Sequence, residues 1–287
     1  MPKLETARKI ILDYRFEPET INQLKELEEY RDCEYYDGQY TRQFTELTNE
    51  VLARSLGYGI KLIKKKTPQE AMAAGVSKFK GDPDLPKSWE WPGDLKFHCQ
   101  LNIADFKQYD LEDEFPSSGI LYFFDNEDGA TEDFSVLYYD GPLAELEARK
   151  HESAFTTSYQ LSFTPYCIFY LTDYNEILDF LPENLKEEME SILACRLTGD
   201  DANFRIFGRP VFWQMEDIPP ADNAGGDLLK SLMLPGLVKS PPEEKDKPSR
   251  ILLLQDDYGE GTVHFWISAS DLKSRNFNAT SITYSGT

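Results

Sequence analysis

Several acidic residues of this chain lie close enough in sequence to form the carboxylate pairs that acid–base chemistry uses. Hydrolysis of a glycosidic bond, for example, needs two carboxyl groups that face each other across a cleft. The chain has 51 Asp and Glu among 287 residues, so close pairs arise by chance and their spacing alone is weak evidence for a hydrolase. The pairs in question are Asp82/Asp84, Asp125/Glu127/Asp128 and Asp256/Asp257.

Histidine and cysteine, the side chains of transition-metal and thiol chemistry, are few and widely separated. The three histidines are His98, His151 and His264, and the four cysteines are Cys33, Cys99, Cys167 and Cys195. The sequence contains no HxH, HExxH or CxxC arrangement, so it predicts neither a metal site nor a disulfide framework. The segment "DNEDGATED" has its glycine in the fifth place and does not fit a calcium loop. No cofactor is expected.

His98 and Cys99 stand next to each other and could form a nucleophile–base pair. They lie in "LKFHCQLNI", whose alternation predicts a strand. Successive side chains of a strand point to opposite faces. We therefore predict that Cys99 joins Phe97 and Leu101 on an apolar face, that His98 and Gln100 lie on the other face, and that the thiol is not catalytic.

The net charge of −21 bears on the choice of partner. A field of that sign repels phosphate backbones and anionic lipid, which argues against nucleic-acid and membrane-surface binding. It attracts a basic protein partner, although an acidic surface that serves only solubility remains an open alternative. The N-terminus lacks an apolar core typical of a signal peptide, and no apolar run reaches the length of a membrane span. A cytoplasmic location is the expectation.

The periodicity of the chain changes near residue 58. Residues 1–57 have helical spacing, with a third helix from Thr41 to Gly57 that carries a wide apolar stripe. Because such a stripe needs a partner surface, we expect this helical extension to pack on the main domain, residues 58–287.

The main domain alternates with the period of β-strands. "GIKLIKKK" is one strand, and "YQLSFTPYCIFYL" is another that we expect to be interrupted at Pro165. Two hairpins with acidic, glycine-bearing turns start at Gly119 and Arg250. An internal duplication is one interpretation of these two similar hairpins. A helix over 182–197 and an exposed, mobile loop over 240–250 complete an α+β domain whose sheets are mostly antiparallel.

The segment "GDPDLPKSWEWP" predicts a rigid turn that presents two tryptophans. Pro86 and Pro92 fix the backbone on either side, and Trp89 and Trp91 share a face if the chain is extended there, with Glu90 on the other side. The pair could close over the edge of the sheet as part of the core, or it could be an aromatic recognition patch with an acidic rim. We favour core packing for at least one of the two indoles.

These segments carry a resemblance to a known family. "SKFKGDPDLPKSWEWP", a strand with "CQLNIADF", "PSSGILYFF", "FGRPVFWQMED" and "VHFWISASDLKSRNF" occur in the order found in the YwqG-like family of bacterial proteins, a domain of unknown function. Gly208, Pro210 and Gln214 occupy the places of the family's glycine-proline-glutamine segment. The resemblance covers roughly residues 58–287 and implies a soluble, cytoplasmic α+β domain. It assigns no catalytic residue.

Two classes of function follow from these observations. The first is a non-catalytic protein-binding module for a basic partner, in its most concrete form an immunity or antitoxin protein. The second is an enzyme or carbohydrate-binding domain that uses carboxylates and aromatic rings in a cleft. The candidate binding residues are Asp82, Asp84, Trp89, Trp91, Gln100, Trp213 and Gln214.

Overall fold

A computed structural model gives the fold of the chain. The chain divides into two compact units, and nearly all described residues belong to the one made of Gly59–Pro165, Asp200–Asp217 and Arg250–Thr287. The structure describes residues 56–110, 113–126, 133–150, 157–169, 204–208, 250–259 and 261–286. The helices predicted before residue 56, the helix over 182–197, the loop over 240–249, Trp213 and Gln214 lie outside these ranges.

Twelve strands occur in the described part of the chain, and the two longest contain the alternating segments noted above. The strand predicted from "GIKLIKKK" begins at Leu56, so the third helix cannot extend to Gly57 as predicted. The strands are β1 Leu56–Lys66, β2 Lys78–Phe79, β3 Asp84–Pro86, β4 Lys96–Asn102, β5 Ile120–Asp125, β6 Phe134–Tyr139, β7 Leu146–Ala148, β8 Tyr159–Phe169, β9 Arg205–Ile206, β10 Ile251–Asp257, β11 Gly261–Ile267 and β12 Ser281–Gly286.

Ten of these strands form one sheet in the order β12-β11-β10-β9-β1-β8-β2-β4-β5-β6. The sheet is mostly antiparallel, as the sequence predicts, and both predicted hairpins are present as β5–β6 and β10–β11. It is nearly closed into a barrel. The segment that precedes the end strand β12 packs on the other end strand, β6: the Tyr138 ring packs against Phe277, with centroids 4.9 Å apart, and Arg275 reaches Asp140, directly after β6, at 3.2 Å.

A bulge in β4 decides which side chains share a face. Phe97 pairs with Phe124 but Cys99 pairs with Phe123, so the register shifts between them. Since neighbouring residues of β5 point to opposite faces, Phe97 and Cys99 also lie on opposite faces. The prediction of one apolar face containing both was wrong, because the extra residue of a bulge reverses the alternation beyond it. The prediction that His98 and Gln100 share the other face was wrong for the same reason: Gln100 lies on the face of Phe97, and the His98 ring packs on Phe79 on the face of Cys99.

The face that carries Phe97 is covered by a second, two-stranded sheet of β3 and β7. Leu85 and Leu146 from this small sheet pack on Phe97 and Phe124 in one buried cluster. The opposite face carries a separate aromatic core in which Phe123 and Phe265 pack edge to face, with centroids 5.1 Å apart. Burial on both faces explains why the five central residues of β4 are all buried.

Short helices close the connections. Helix α1 (Ile103–Phe106) follows β4, and the Asn102 side chain caps it by accepting a hydrogen bond from Ala104 N. Helix α2 (Ala269–Ser274) follows β11 and is capped in the same way by Ser268. In the part of the chain that the structure describes, no helix is long and apolar enough to cross a membrane.

The prediction for β8 was wrong in one respect. Strand β8 runs without a break from Tyr159 through Pro165 to Phe169, whereas the sequence predicted an interruption at the proline. Proline lacks an N–H donor but can adopt extended backbone geometry, so a strand can continue through it where that donor is not needed.

Candidate functional site

The predicted tryptophan turn follows β3 directly. Trp89 N donates a hydrogen bond to the carbonyl of Pro86 (3.0 Å), and Leu95 N donates to that of Pro92 (3.4 Å). The two hydrogen bonds close successive turns, and each accepting carbonyl belongs to a proline whose φ is fixed by its ring. The chain thereby brings both indoles back onto the sheet.

Both tryptophans are half-buried and pack on the cluster beneath the small sheet. Trp89 meets Tyr122 and Tyr139 edge to face, with centroids 5.9 Å and 5.8 Å away. Trp91 meets Phe124 at 5.3 Å, and its Nε1 donates to the carbonyl of Leu95 at 2.7 Å. The prediction that at least one of the two indoles packs on the core is confirmed.

The same turn presents acidic side chains to solvent. Glu90, between the two indoles, is exposed, as is Asp94. Tyr139, which packs on Trp89, donates through its hydroxyl to exposed Glu145 at 3.1 Å. We call the set Trp89, Glu90, Trp91, Asp94, Tyr139 and Glu145 the Trp patch. Its indole and phenol rings are half-buried, and its three carboxylates are accessible to a cationic group.

Asp84 and Gln100, also predicted as binding residues, instead form a buried polar cluster. The Gln100 side chain accepts from Asp84 N (2.8 Å) and donates to the Asp84 carboxylate (3.0 Å). The same carboxylate lies 2.8 Å from Lys78 Nζ and accepts from Gly75 N at 2.8 Å. Because these groups satisfy one another out of contact with water, they join β2, β3 and β4 rather than form an accessible binding surface.

Asp82 lies beside this cluster and contributes mainly through its backbone. Its carbonyl accepts from Lys78 Nζ (3.1 Å) and from the Gln69 side chain (3.1 Å). Burial lowers the pKa of the Lys78 amine below its usual value, while the neighbouring Asp84 carboxylate opposes that shift. Burial also raises the pKa of the Tyr122 phenol, whose hydroxyl donates to the backbone of Asp84 at 2.6 Å.

A second polar cluster forms where several strands end on the opposite face of the sheet. It contains Lys64 of β1, His98 of β4, Asp125 of β5, Asp256 of β10, and Tyr258, which follows β10. We call these five residues the strand-end cluster. Strand β4 places His98 in this cluster at its bulge, between Phe97 and Cys99.

The members of the strand-end cluster are in direct contact. His98 Nδ1 lies 2.9 Å from the Tyr258 hydroxyl, which donates to the Asp125 carboxylate. On the other side of the ring, His98 Nε2 lies 3.3 Å from Asp256, and Lys64 Nζ donates to both oxygens of Asp256 at 3.0 and 3.1 Å. The side chains of His98 and both acids are at most 3% exposed.

Cys99 is fully buried beside this cluster. Burial raises the pKa of its thiol well above the usual value, and the nearby Asp256 and Asp125 carboxylates add to the shift, against the smaller effect of Lys64. A buried thiol held in its protonated form is a poor nucleophile. Burial therefore disfavours thiolate chemistry at Cys99, and the statement that this thiol is not catalytic stays a prediction.

Sequence reasoning did not single out Lys64 or Tyr258. Lys64 stands in a run of three lysines, and only the alternation of "GIKLIKKK", with Ile60, Leu62 and Lys64 in phase, could have indicated that it points inward. Tyr258 lies in a hairpin turn, where a tyrosine carries no recognisable signal. Within the described ranges, no group of three or more His, Cys, Asp or Glu side chains is arranged to hold a metal ion.

The fold and these clusters define a mostly antiparallel β-domain with one polar cluster on each face of a nearly closed sheet. Residues 77–285 match the model of a family described as a domain of unknown function, DUF1963, and the chain belongs to that family. The resemblance noted in the sequence also indicated a domain of unknown function, and its start lies earlier, near residue 58. The chain matches no curated protein.

Proposed function

We propose that this chain is a non-catalytic protein-binding domain that holds a basic partner through the Trp patch. The observation that carries the proposal is the combination of two half-buried indoles with exposed Glu90 and Asp94 in the same turn, and with exposed Glu145 bonded to the Tyr139 that packs on Trp89, in a chain with a net charge of −21. Tryptophan is enriched among the residues that dominate binding energy at interfaces. A partner with lysine or arginine side chains would pair with the carboxylates and stack on the rings.

The local charge of the turn supports a positively charged partner. Lys87 is the exposed cation that precedes Trp89, and the Arg149 guanidinium is already engaged by Glu147 at 3.1 Å and by the carbonyl of Trp89 at 3.2 Å. The three carboxylates of the Trp patch therefore outnumber the lysine beside them. An acidic field also accelerates the encounter with a cationic protein and weakens with salt.

The most concrete form of the proposal is an immunity or antitoxin protein of the YwqG-like group, acting in the bacterial cytoplasm on a basic toxin. The whole-chain charge supports this form, since an acidic inhibitor and a basic enzyme attract each other over long range.

An enzyme or carbohydrate-binding domain is the second candidate. It is favoured by the convergence of the Asp125 and Asp256 carboxylates on the two sides of the His98 ring, at 3.8 and 3.3 Å. Against it, both carboxylates are almost fully buried and already bonded within the strand-end cluster. A sugar would have to displace those contacts before it could reach either acid.

The test is the binding of a lysine-rich synthetic peptide, compared with a glutamate-rich peptide of equal length, measured by interferometry over a range of salt concentrations. We expect the lysine-rich peptide alone to bind, more weakly as salt rises. The double variant Glu90→Lys/Asp94→Lys should reduce its affinity by roughly tenfold or more, because each reversal replaces an attraction by a repulsion.

The matched control is Glu70→Lys/Asp133→Lys, which makes the same change of net charge at exposed positions outside the Trp patch. Equal losses in the two double variants would mean that only net charge matters, and would remove the Trp patch from the proposal. No binding of the basic peptide at low salt would refute the basic partner itself.

A further inference from the structure

Lys64 is held in an environment that the rest of its lysine run does not share. Its ammonium nitrogen lies 3.6 Å from the centre of the Phe79 ring and 4.2 Å from that of Phe204. It also donates to both oxygens of Asp256, at 3.0 and 3.1 Å. The Asp256 side chain is 3% exposed and that of Lys64 is 30% exposed. One cation is thus bound between two aromatic faces and a buried carboxylate.

The groups that bind this ammonium belong to elements other than β1. Phe79 ends β2, Phe204 precedes β9, and Asp256 lies near the end of β10. The two rings pack on each other, with centroids 5.3 Å apart, and Phe79 also packs edge to face on His98 at 5.2 Å. Because the two rings pack on each other and Phe79 packs on His98, their positions do not depend on the Lys64 side chain.

We propose that Phe79, Phe204 and Asp256 form a binding site for a primary alkylammonium group, and that Lys64 occupies it as an intramolecular ligand. Aromatic faces with a carboxylate are the chemistry by which proteins recognise ammonium ligands. The ligand class is the side chain of a lysine from another protein or a small free amine, since both present the same –CH₂–NH₃⁺ group. This site goes beyond the proposed function and does not depend on the Trp patch.

The exposure of Lys64 makes exchange feasible. Its stem reaches the site from a strand end whose neighbours, Ile63 and Lys65, are exposed, so the lysine can leave into water without a change of fold. A tethered group competes with an external ligand through its effective concentration, which is millimolar or higher for a short tether. Removing the Lys64 side chain should therefore increase the affinity for an external amine.

The experiment measures the thermal unfolding of the full chain carrying Lys64→Ala in increasing propylammonium chloride. We expect a saturable rise in Tm, because the amine replaces the lost partner of a buried carboxylate. Wild-type protein should need at least about tenfold more amine for the same rise, since Lys64 competes. Sodium chloride at equal ionic strength and 1-propanol at equal concentration control for salt and for the uncharged propyl chain.

Two further variants test the walls of the site in the Lys64→Ala background. Adding Asp256→Asn should abolish the saturable rise, because the carboxylate is gone. Adding Phe204→Leu should weaken the amine affinity by roughly three- to thirtyfold, through loss of one aromatic face. A parallel titration with N-acetyl-lysine amide separates the sources: binding of both compounds assigns the site to lysine side chains and free amines, and binding of propylammonium alone assigns it to free amines.

The matched control is Lys107→Ala. The Lys107 ammonium is held by oxygens alone, from Asp110 (2.8 Å), Asp113 (2.6 Å) and the carbonyl of Phe115 (2.6 Å). The proposal is overturned if propylammonium stabilises Lys64→Ala no more than it stabilises Lys107→Ala or wild type. If Lys64→Ala does not fold, propylammonium is added during refolding, where recovery of folded protein by the amine but not by sodium supports the site and no recovery overturns it.

Discussion

The ammonium nitrogen of Lys78 lies 2.8 Å from a carboxylate oxygen of Asp84, and the two side chains are 1% and 5% exposed. Lys78 belongs to the ten-stranded sheet and Asp84 to the small sheet that covers it. The pair is therefore an ion pair between two sheets whose apolar contacts include Leu85, Phe97 and Phe124. Gln100 and the amide of Gly75 complete the coordination of the carboxylate.

We expect Asp84→Ala to lower the free energy of unfolding by about 3–5 kcal/mol, because it leaves the Lys78 ammonium buried without its only carboxylate partner among the contacts described above. Urea unfolding followed by tryptophan fluorescence measures the change. Asp94→Ala, at an exposed position, is the control and should stay within about 0.5 kcal/mol of the parent. If Asp84→Ala lowers the free energy of unfolding as little as the control does, the Lys78–Asp84 ion pair does not stabilise the contact between the two sheets.

Stability should fall at alkaline pH through Cys99. Burial raises the pKa of this thiol in the folded protein well above its ordinary value of 9.0. Above that ordinary value the unfolded chain loses the proton while the folded chain keeps it, so the unfolded state binds fewer protons and stability declines as pH rises. The contribution of this one group approaches about 1.4 kcal/mol per pH unit.

The measurement is urea unfolding between about pH 8 and about pH 10 for the parent and for Cys99→Ala. Lys78, whose folded pKa is lowered, acts in the opposite direction but is present in both proteins. The difference between the two slopes therefore isolates Cys99. Identical slopes would show that the thiol does not resist ionisation in the folded state.

The tryptophans of the Trp patch should contribute to stability as well as to binding. Since each is half-buried, Trp89→Ala and Trp91→Ala should cost roughly 2–3 kcal/mol, below the roughly 3–5 kcal/mol of a fully buried aromatic side chain. Trp91→Phe keeps the contact with Phe124 and loses the hydrogen bond to Leu95, which should cost about 1 kcal/mol. Urea unfolding of the three variants checks this order, and two near-neutral alanine variants would mean that the indoles do not pack as described.

Tyr258→Phe should destabilise the protein by about 1–3 kcal/mol, because it leaves the buried Asp125 carboxylate and His98 without their shared hydroxyl partner. The control is Tyr138→Phe, whose hydroxyl donates to the carbonyl of Ser118 at the surface. Water can replace that bond, so the control should lose less. Thermal and urea unfolding of both variants provide the comparison, and an equal loss would show that the strand-end cluster adds nothing specific to stability.

Local features of the sequence determined much of the described fold. Alternation identified β1, β4 and both hairpins, since a strand with one or two buried faces needs apolar residues at a period of two. The prolines and tryptophans of "GDPDLPKSWEWP" predicted a turn that packs indole rings on the sheet, because fixed φ angles restrict the backbone before any tertiary contact forms. The pattern of elements also indicated a mostly antiparallel α+β domain.

Tertiary structure decided the features that depend on cross-strand register and on partners distant in sequence. The bulge between Phe97 and Cys99 becomes visible only when β4 pairs with β5, because nothing in the local sequence requires the extra residue. Likewise, the burial of the Asp84 and Gln100 side chains depends on their contact with each other and with Lys78, which lies on another strand. The local sequence around each residue does not show that contact.

The strand-end cluster shows the same limit most clearly. Lys64 and Asp256 are separated by 192 positions, and their contact follows from the order of strands in the sheet. Sequence predicts how side chains alternate along a strand without a bulge, because that alternation depends on neighbouring residues. Which ends of which strands meet is decided by the packing of the whole sheet, and the ammonium site at Lys64 is a consequence of that packing.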